Sequence, residues 1–307
     1  MAAPTAASAT QPWGPALAAG ASQGLDLTRV KTLVAGPVSF DPSRQRFALA
    51  AGDTIRVTDA TGALLAPWSL GKGVQDLAFA PDGSLWVLSQ EGLVRAVEGV
   101  ETCRATGLEV EQILGVDAAG GALLGQVQGL ETGVWGAVVS VRPTCEVKSE
   151  PLAQPAPTAL AWRGAERWLG TTARTSAGPT REGPPSVLVG PAPGRPTLPQ
   201  LLRGDEAAQR VEDLVVTVST LAVADSGTWE LWSLDGSRAM AHGKASLASA
   251  EAVPGSSLAA VGQDLVNLED GTVTPDALPA PVVAISPDGA LWVLGADEDR
   301  ALWRRGP

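Results

Sequence analysis

The chain has 307 residues, 45% of them hydrophobic and 18% charged, with a formal net charge of −11. That apolar content at this length suffices for a large core, while the acidic balance repels nucleic-acid phosphates and anionic lipid, so neither is expected as a partner. No run of 18 apolar residues is present to cross a bilayer as a helix, so no membrane span is expected either.

The first 23 residues, "MAAPTAASATQPWGPALAAGASQ", are poor in charge and rich in Ala, Pro, Ser and Thr, which reads as a flexible tail ahead of one domain over 24–307. "AAPTAAS" looks like what remains after removal of a signal peptide, with Met1 as an added start. An extracytoplasmic (periplasmic or secreted) protein is therefore expected, the alternative being a cytoplasmic one with a low-complexity tail.

From Gly24 onward, apolar runs of strand length alternate with Gly, Pro and Asp, and no long amphipathic helical period appears; 35 Gly and 24 Pro serve as punctuation. "PVSFDPSRQRFALAAG" opens a series of hairpins, and "LAFAPDGSLWVLS" (Leu77 to Ser89) is its clearest member. In "APDG" the Pro presets φ for the second position of a type I turn, Asp suits the third and Gly the last. The same outline returns near the other end as "VAISPDGALWVLG". Equivalent markers fall at Phe40, Phe79, Val116, Trp162, Val215, Ala252 and Ile285, with a mean spacing of about 41 residues, the range of a four-stranded propeller blade. Seven markers predict an all-β, seven-bladed β-propeller, with six or eight blades as the alternatives.

Cys103 and Cys145 stand in "VETCRAT" and "RPTCEVK", each near the entry to a fourth strand of neighbouring blades. Sheets pack about 10 Å apart and a disulfide needs Cα atoms within roughly 7 Å, so a bond requires the blades to converge at the outer rim; two separate thiols are the alternative. Ten Trp and no Tyr are present, and the matching places of Trp86 and Trp292 in the two best repeats argue for packing between blades.

Between Arg163 and Arg210 lie seven of the 22 basic residues, among them Arg163, Arg167, Arg174, Arg181 and Arg195, in a long Pro-rich and Gly-rich excursion on an otherwise acidic ring. Such an excursion is the place to seek a partner; the alternative is a tolerated insertion whose Arg residues neutralise nearby acids.

The C-terminal segments "ALWVLGADEDR" and "ALWRRGP" supply only three strands after the last marker. A strand within Gly24 to Val34 is expected to complete that blade and remove the open edges, with "GPALAAG" as the fallback. Asp297, Glu298 and Asp299 read as a polar hairpin turn.

Catalytic signatures are sparse. His242 is the only His, which leaves no imidazole-rich metal site and no ordinary nucleophilic triad, and no CxxC, Walker or dinucleotide motif occurs. No cofactor is expected.

"FAPDGSLWVLS" and "ISPDGALWVLG" resemble the repeats of NHL and related bacterial sensor-type propellers, where a D-G turn leads into an aromatic strand. The resemblance implies the propeller fold and little about activity. The Gly-His and Trp-Asp signatures of WD40 repeats are missing. Gluconolactonase-like propellers hold a central metal with acidic and Asn residues, and Asn267 is the only Asn here; streptogramin-lyase-like propellers rely on His. The reading that follows is a non-catalytic, monomeric binding or scaffold propeller with a protein or cell-surface polymer as partner. The alternative is a metal-assisted hydrolase or lyase using Asp and Glu at the central channel.

Overall fold

In Ala80-Pro81-Asp82-Gly83 the Gly83 N–H donates to the Ala80 carbonyl at 2.8 Å and the Ala80 N–H to the Ser84 carbonyl at 2.8 Å. Gly83 adopts φ 78°, where a side chain is disfavoured, and the Asp82 carboxylate accepts the Ser84 N–H at 2.9 Å. The same device, an Asp accepting the N–H two residues on, closes turns at Asp41, Asp59, Asp117, Asp225, Asp235, Asp270 and Asp288. Much of the acidity is thus turn chemistry. The second PDG turn is one residue wider, since Ser286 donates to Leu291 and Ile285 faces Trp292 where Phe79 faces Leu85.

These hairpins assemble in a computed structural model that describes residues 27–306 apart from 34–35, 42, 131–132, 153–155, 165, 173, 176–180, 184–186, 190–209, 226, 245–248, 287 and 297–298. The tail 1–23 and the fallback "GPALAAG" lie outside the described residues, and no helix occurs among those described.

Six four-stranded sheets and one three-stranded sheet form a ring. Their innermost strands are Val38–Asp41, Val74–Phe79, Val110–Val116, Pro157–Arg163, Asp213–Val216, Ala250–Ala252 and Val282–Ile285. Each lies beside the next, and the last beside the first. This is the expected β-propeller, and every marker residue from Phe40 to Ile285 sits on one of these strands. Blades are numbered 1 to 7 in this order. Blade 4 contributes Pro157–Arg163, Glu166–Thr171 and Val187–Val189 among the described residues, and the other six are complete. Turns from the inner to the second strand and from the third to the outer strand define a lower face; the remaining turns define an upper one.

Closure comes from the N-terminal side. Leu27–Leu33 is the outer strand of blade 7, antiparallel to Asp299–Arg305, running from Leu27 opposite Arg305 to Leu33 opposite Arg300 with a bulge between Arg29 and Lys31. Ala296 pairs with Asp299, while Asp297 and Glu298 of the acidic triplet lie outside the described residues.

Apolar side chains fill the gaps between blades. Trp86, Trp229 and Trp292 are fully buried, and each indole N–H finds an acceptor: Gly120 O at 2.9 Å in the next blade, Asp264 Oδ2 at 2.9 Å in the next blade, and Gly289 O at 3.0 Å in its own turn. Between blades 1 and 2 the buried Arg46 guanidinium donates to Asp41 at 3.0 Å, Glu98 at 3.0 Å and Gly83 O at 3.1 Å, so its charge is paired on all sides.

Cys103, on the outer strand of blade 2, and Cys145, in the turn entering the outer strand of blade 3, are joined by a disulfide with Cα atoms 5.5 Å apart. The blades converge at the rim as the bond requires.

Two stability measurements check this architecture. Deleting residues 24–34 opens the ring and is expected to lower the cooperative melting transition out of proportion to eleven residues; unchanged melting would show that closure lies elsewhere. The Cys103→Ser/Cys145→Ser double variant, which frees a loop spanning 42 positions, is expected to lose up to about 4 kcal/mol in denaturant unfolding.

Candidate functional site

The inner strand of every blade has one edge without a strand partner, facing the central channel. Side chains of the preceding blade cover part of that edge. Ser39 accepts the Phe79 N–H at 2.9 Å, Asp76 the Ile113 N–H at 2.8 Å, and Asp213 the Ala250 N–H at 2.8 Å. Gln112 donates to the Thr158 carbonyl, and Thr158 to the Val211 carbonyl at 2.5 Å. Carboxylates are thereby drawn into poorly solvated positions. Burial pushes the Asp76 carboxyl up to about 6 against the pull of its two N–H donors.

Asp213 and Glu251, on the inner strands of blades 5 and 6, come together in the upper half of the channel. Burial raises both, and the Asp213 charge raises Glu251 further. Asp213 spends its oxygens on the Ala250 and Leu214 N–H groups. Two carboxylates do not make a metal centre. Among the described residues no group of three or more His, Cys, Asp or Glu is placed to hold an ion. Asn267, on the third strand of blade 6, instead accepts the Glu269 N–H at 2.9 Å and caps a turn.

His242 lies on the outer strand of blade 5, opposite Glu230 in the ladder, and lines a cavity of about 320 Å³. Sequence order hid that acidic neighbour. Glu230 accepts the Trp232 indole N–H at 2.7 Å, and Ser237 in the same cavity donates its hydroxyl to Asp235 at 2.7 Å rather than to an imidazole.

A second depression, of about 520 Å³, opens on the lower face between blades 4 and 5. Its walls are the Arg163–Glu166 turn, Ser219 in the first turn of blade 5, and the Ser233–Arg238 turn. Arg163 donates to Glu166 at 3.0 Å and covers the Trp168 ring at 5.5 Å. Asp235 accepts the Ser233 and Ser237 hydroxyls at 2.7 Å, which holds its carboxyl down at about 2. Trp162 and Val218, flanking Arg163 and Ser219 in the chain, are 42% and 86% exposed.

The Arg residues singled out from the sequence do not form one patch. Arg163 is at the lower end of blade 4. Arg167 pairs with Glu150 of blade 3 at 2.8 Å, and Arg210 with Glu212 at 3.0 Å. Arg174 and Arg181 belong to the short ladder Arg174–Thr175/Arg181–Gly183, beyond the opposite end of the sheet, and Arg195 lies outside the described residues. On the outer rim, Leu64, Val100 and Val147 open the outer strands of blades 1, 2 and 3 as an exposed apolar arc.

No family model matches the chain, and no curated protein does. Solved structures similar to it share the fold at very low identity. A gluconolactonase from Xanthomonas campestris aligns at 8% identity with TM-score 0.54, covering 91% of this chain and 88% of that one. The C-terminal WD40 domain of Sif2 aligns at 10% and 0.55, covering 92% and 99%. The Neurospora crassa Pan2 WD40 domain aligns at 12% and 0.58, covering 92% and 96%.

The pH dependence of folding tests the channel geometry. A carboxyl whose native pKa is raised favours the fold while protonated, and that contribution is lost as pH rises through the native value. Glu251→Gln is therefore expected to melt higher than the parent at about pH 9 and at the same temperature at about pH 5. Equal melting at both would place Glu251 in full contact with water.

Proposed function

We propose that this chain is a non-catalytic extracytoplasmic binding propeller that presents the lower face of blades 4 and 5 to a protein or cell-surface polymer. One observation carries the reading: at the lower ends of blades 4 and 5, Trp162 and Val218, each next in the chain to a residue of the polar cleft, are 42% and 86% exposed. Exposed tryptophan and arginine are enriched among the anchors of recognition surfaces. The Cys103–Cys145 bond supports an oxidising compartment. Arg174, Arg181 and Arg195 are candidates for additional contacts from the blade 4 excursion.

A second reading has its own support in the Asp213–Glu251 pair. A carboxyl kept protonated in a channel is suited to act as a general acid in a hydrolase or lyase. With only two carboxylates converging and one of them engaged by backbone, the binding reading stands first.

Co-sedimentation of the purified protein with cell-envelope fragments separates the two. The Trp162→Ala/Val218→Asp variant is expected to lose retention by at least about tenfold, while Leu64→Ser/Leu65→Ser on the rim retains it. Equal retention of both variants, or no retention of the parent, would contradict the binding reading.

A further inference from the structure

We infer that Cys103–Cys145 is an exchangeable disulfide, opened by a protein dithiol whose thiolate attacks Cys145 and displaces Cys103 as a thiolate held by Arg95. The two cysteines are unequally placed. Cys145 is half-buried at the outer rim, between the exposed Thr144 and Glu146, while Cys103 is 5% exposed in the gap between blades 2 and 3. An incoming thiolate therefore meets Cys145 first.

Arg95 stands behind the leaving sulfur. It lies directly opposite Cys103 in the ladder between the third and outer strands of blade 2, so the two side chains share a face with Cβ atoms about 5 Å apart. Its Nη groups donate to Asp82 at 2.5 Å and Thr102 at 3.4 Å, but the buried Nε–H has no acceptor among the described residues. A disulfide sulfur is a weak acceptor, whereas a thiolate accepts a charge-assisted bond. Opening the bond supplies what this N–H lacks from within the protein. A cation so placed favours thiolate over thiol, and the better leaving group departs faster.

The surroundings suit a protein reductant. Leu93, Arg95 and Val97 alternate to the side of blade 2 that faces blade 3, and Val100 pairs with Val97. Val147 pairs with Val141 on the side of blade 3 that faces blade 2. Val97, Val100 and Val147, 38%, 66% and 45% exposed, thus flank the bond with apolar surface for a partner to cover. The turn itself does not require the sulfur. Its bonds, from Cys145 N–H to Arg142 O and from Arg142 N–H to Glu146 O, repeat those of the turns at Gly62, Gly83 and Gly120, and Cys145 takes the left-handed φ of 70° in the place of their glycine. Ring closure is likewise made elsewhere, by Leu27–Leu33.

In the exchange the incoming thiolate bonds to Cys145 Sγ as the disulfide breaks, and the electron pair leaves on Cys103 Sγ. The second thiol of the reductant then displaces Cys145 and closes the reductant's own disulfide. Of the dithiol's two protons, one ends on Cys145 and one in solvent, with Cys103 left as thiolate.

Reduction of the folded full chain by dithiothreitol and by thioredoxin, read by counting thiols, tests the assignment. Native reduction by dithiothreitol is expected within about tenfold of the rate in denaturant, and thioredoxin is expected to be faster. Arg95→Gln is expected to slow native reduction about tenfold, Arg95→Lys to restore it, and Arg104→Gln, on the other face of the same strand, to leave it unchanged. Val100→Asp is expected to slow thioredoxin about tenfold and to spare dithiothreitol. In Cys145→Gly, which gives the turn the residue its φ favours, the ultraviolet absorbance of the Cys103 thiolate is expected to appear at lower pH than in Cys145→Gly/Arg95→Gln. Reduction only on unfolding, a native rate unchanged or raised by Arg95→Gln, or a thiolate titration indifferent to Arg95 would overturn the exchange. Thioredoxin no faster than dithiothreitol, or indifferent to Val100→Asp, would overturn the protein reductant.

Discussion

The antiparallel pairing of Leu27–Leu33 with Asp299–Arg305 turns a row of hairpins into a ring. Repeats of this kind bury their faces only against neighbours, so an open array would leave two blades with one apolar face in water. Here Leu27 packs into the cluster between blades 6 and 7, and Leu33 into the one between blades 7 and 1. One strand from the far end of the chain thus joins two interfaces at once. Stability, the channel and the two faces all follow from that closure.

Within the ring the blades face a second constraint, the uncovered edge of each inner strand. The chain meets it partly with side chains that reach to the next blade, and Asp76 and Asp213 are carboxylates in that role. Their raised pKa values are a consequence of holding backbone in a narrow channel. The Asp213–Glu251 neighbourhood is therefore explained first by architecture, and chemistry at that point would be an additional use.

The fold was legible because its instructions are local. A turn of Asp and Gly between aromatic strands states a hairpin wherever it occurs, and even Val215 and Ala252, placed by strand pattern alone, lie on inner strands. Closure was legible from counting strands at the C-terminus, and the disulfide from two cysteines near equivalent strand entries. What escaped depends on which end of a strand a residue occupies and which blade it faces. Arg163 and Arg174 look like one basic stretch, yet the strand Glu166–Thr171 runs between them and carries them to opposite ends of blade 4. Glu230 and His242 meet only through ladder register, and Asp213 and Glu251 only through the adjacency of two blades. Trp162 departs from the packing role expected of tryptophan because it occupies the lower end of an inner strand, where blade contact gives way to solvent.

The central claim is that the ring offers one end of blades 4 and 5 as its contact surface. Hydrogen–deuterium exchange with and without cell-envelope fragments reads this directly along the whole chain. Slowed exchange confined to the turns at 162–166, 217–219 and 233–238 is the predicted result. Slowed exchange at the inner strands around Asp213 and Glu251, or along the rim at Leu64, Val100 and Val147, with those turns unchanged, would contradict it.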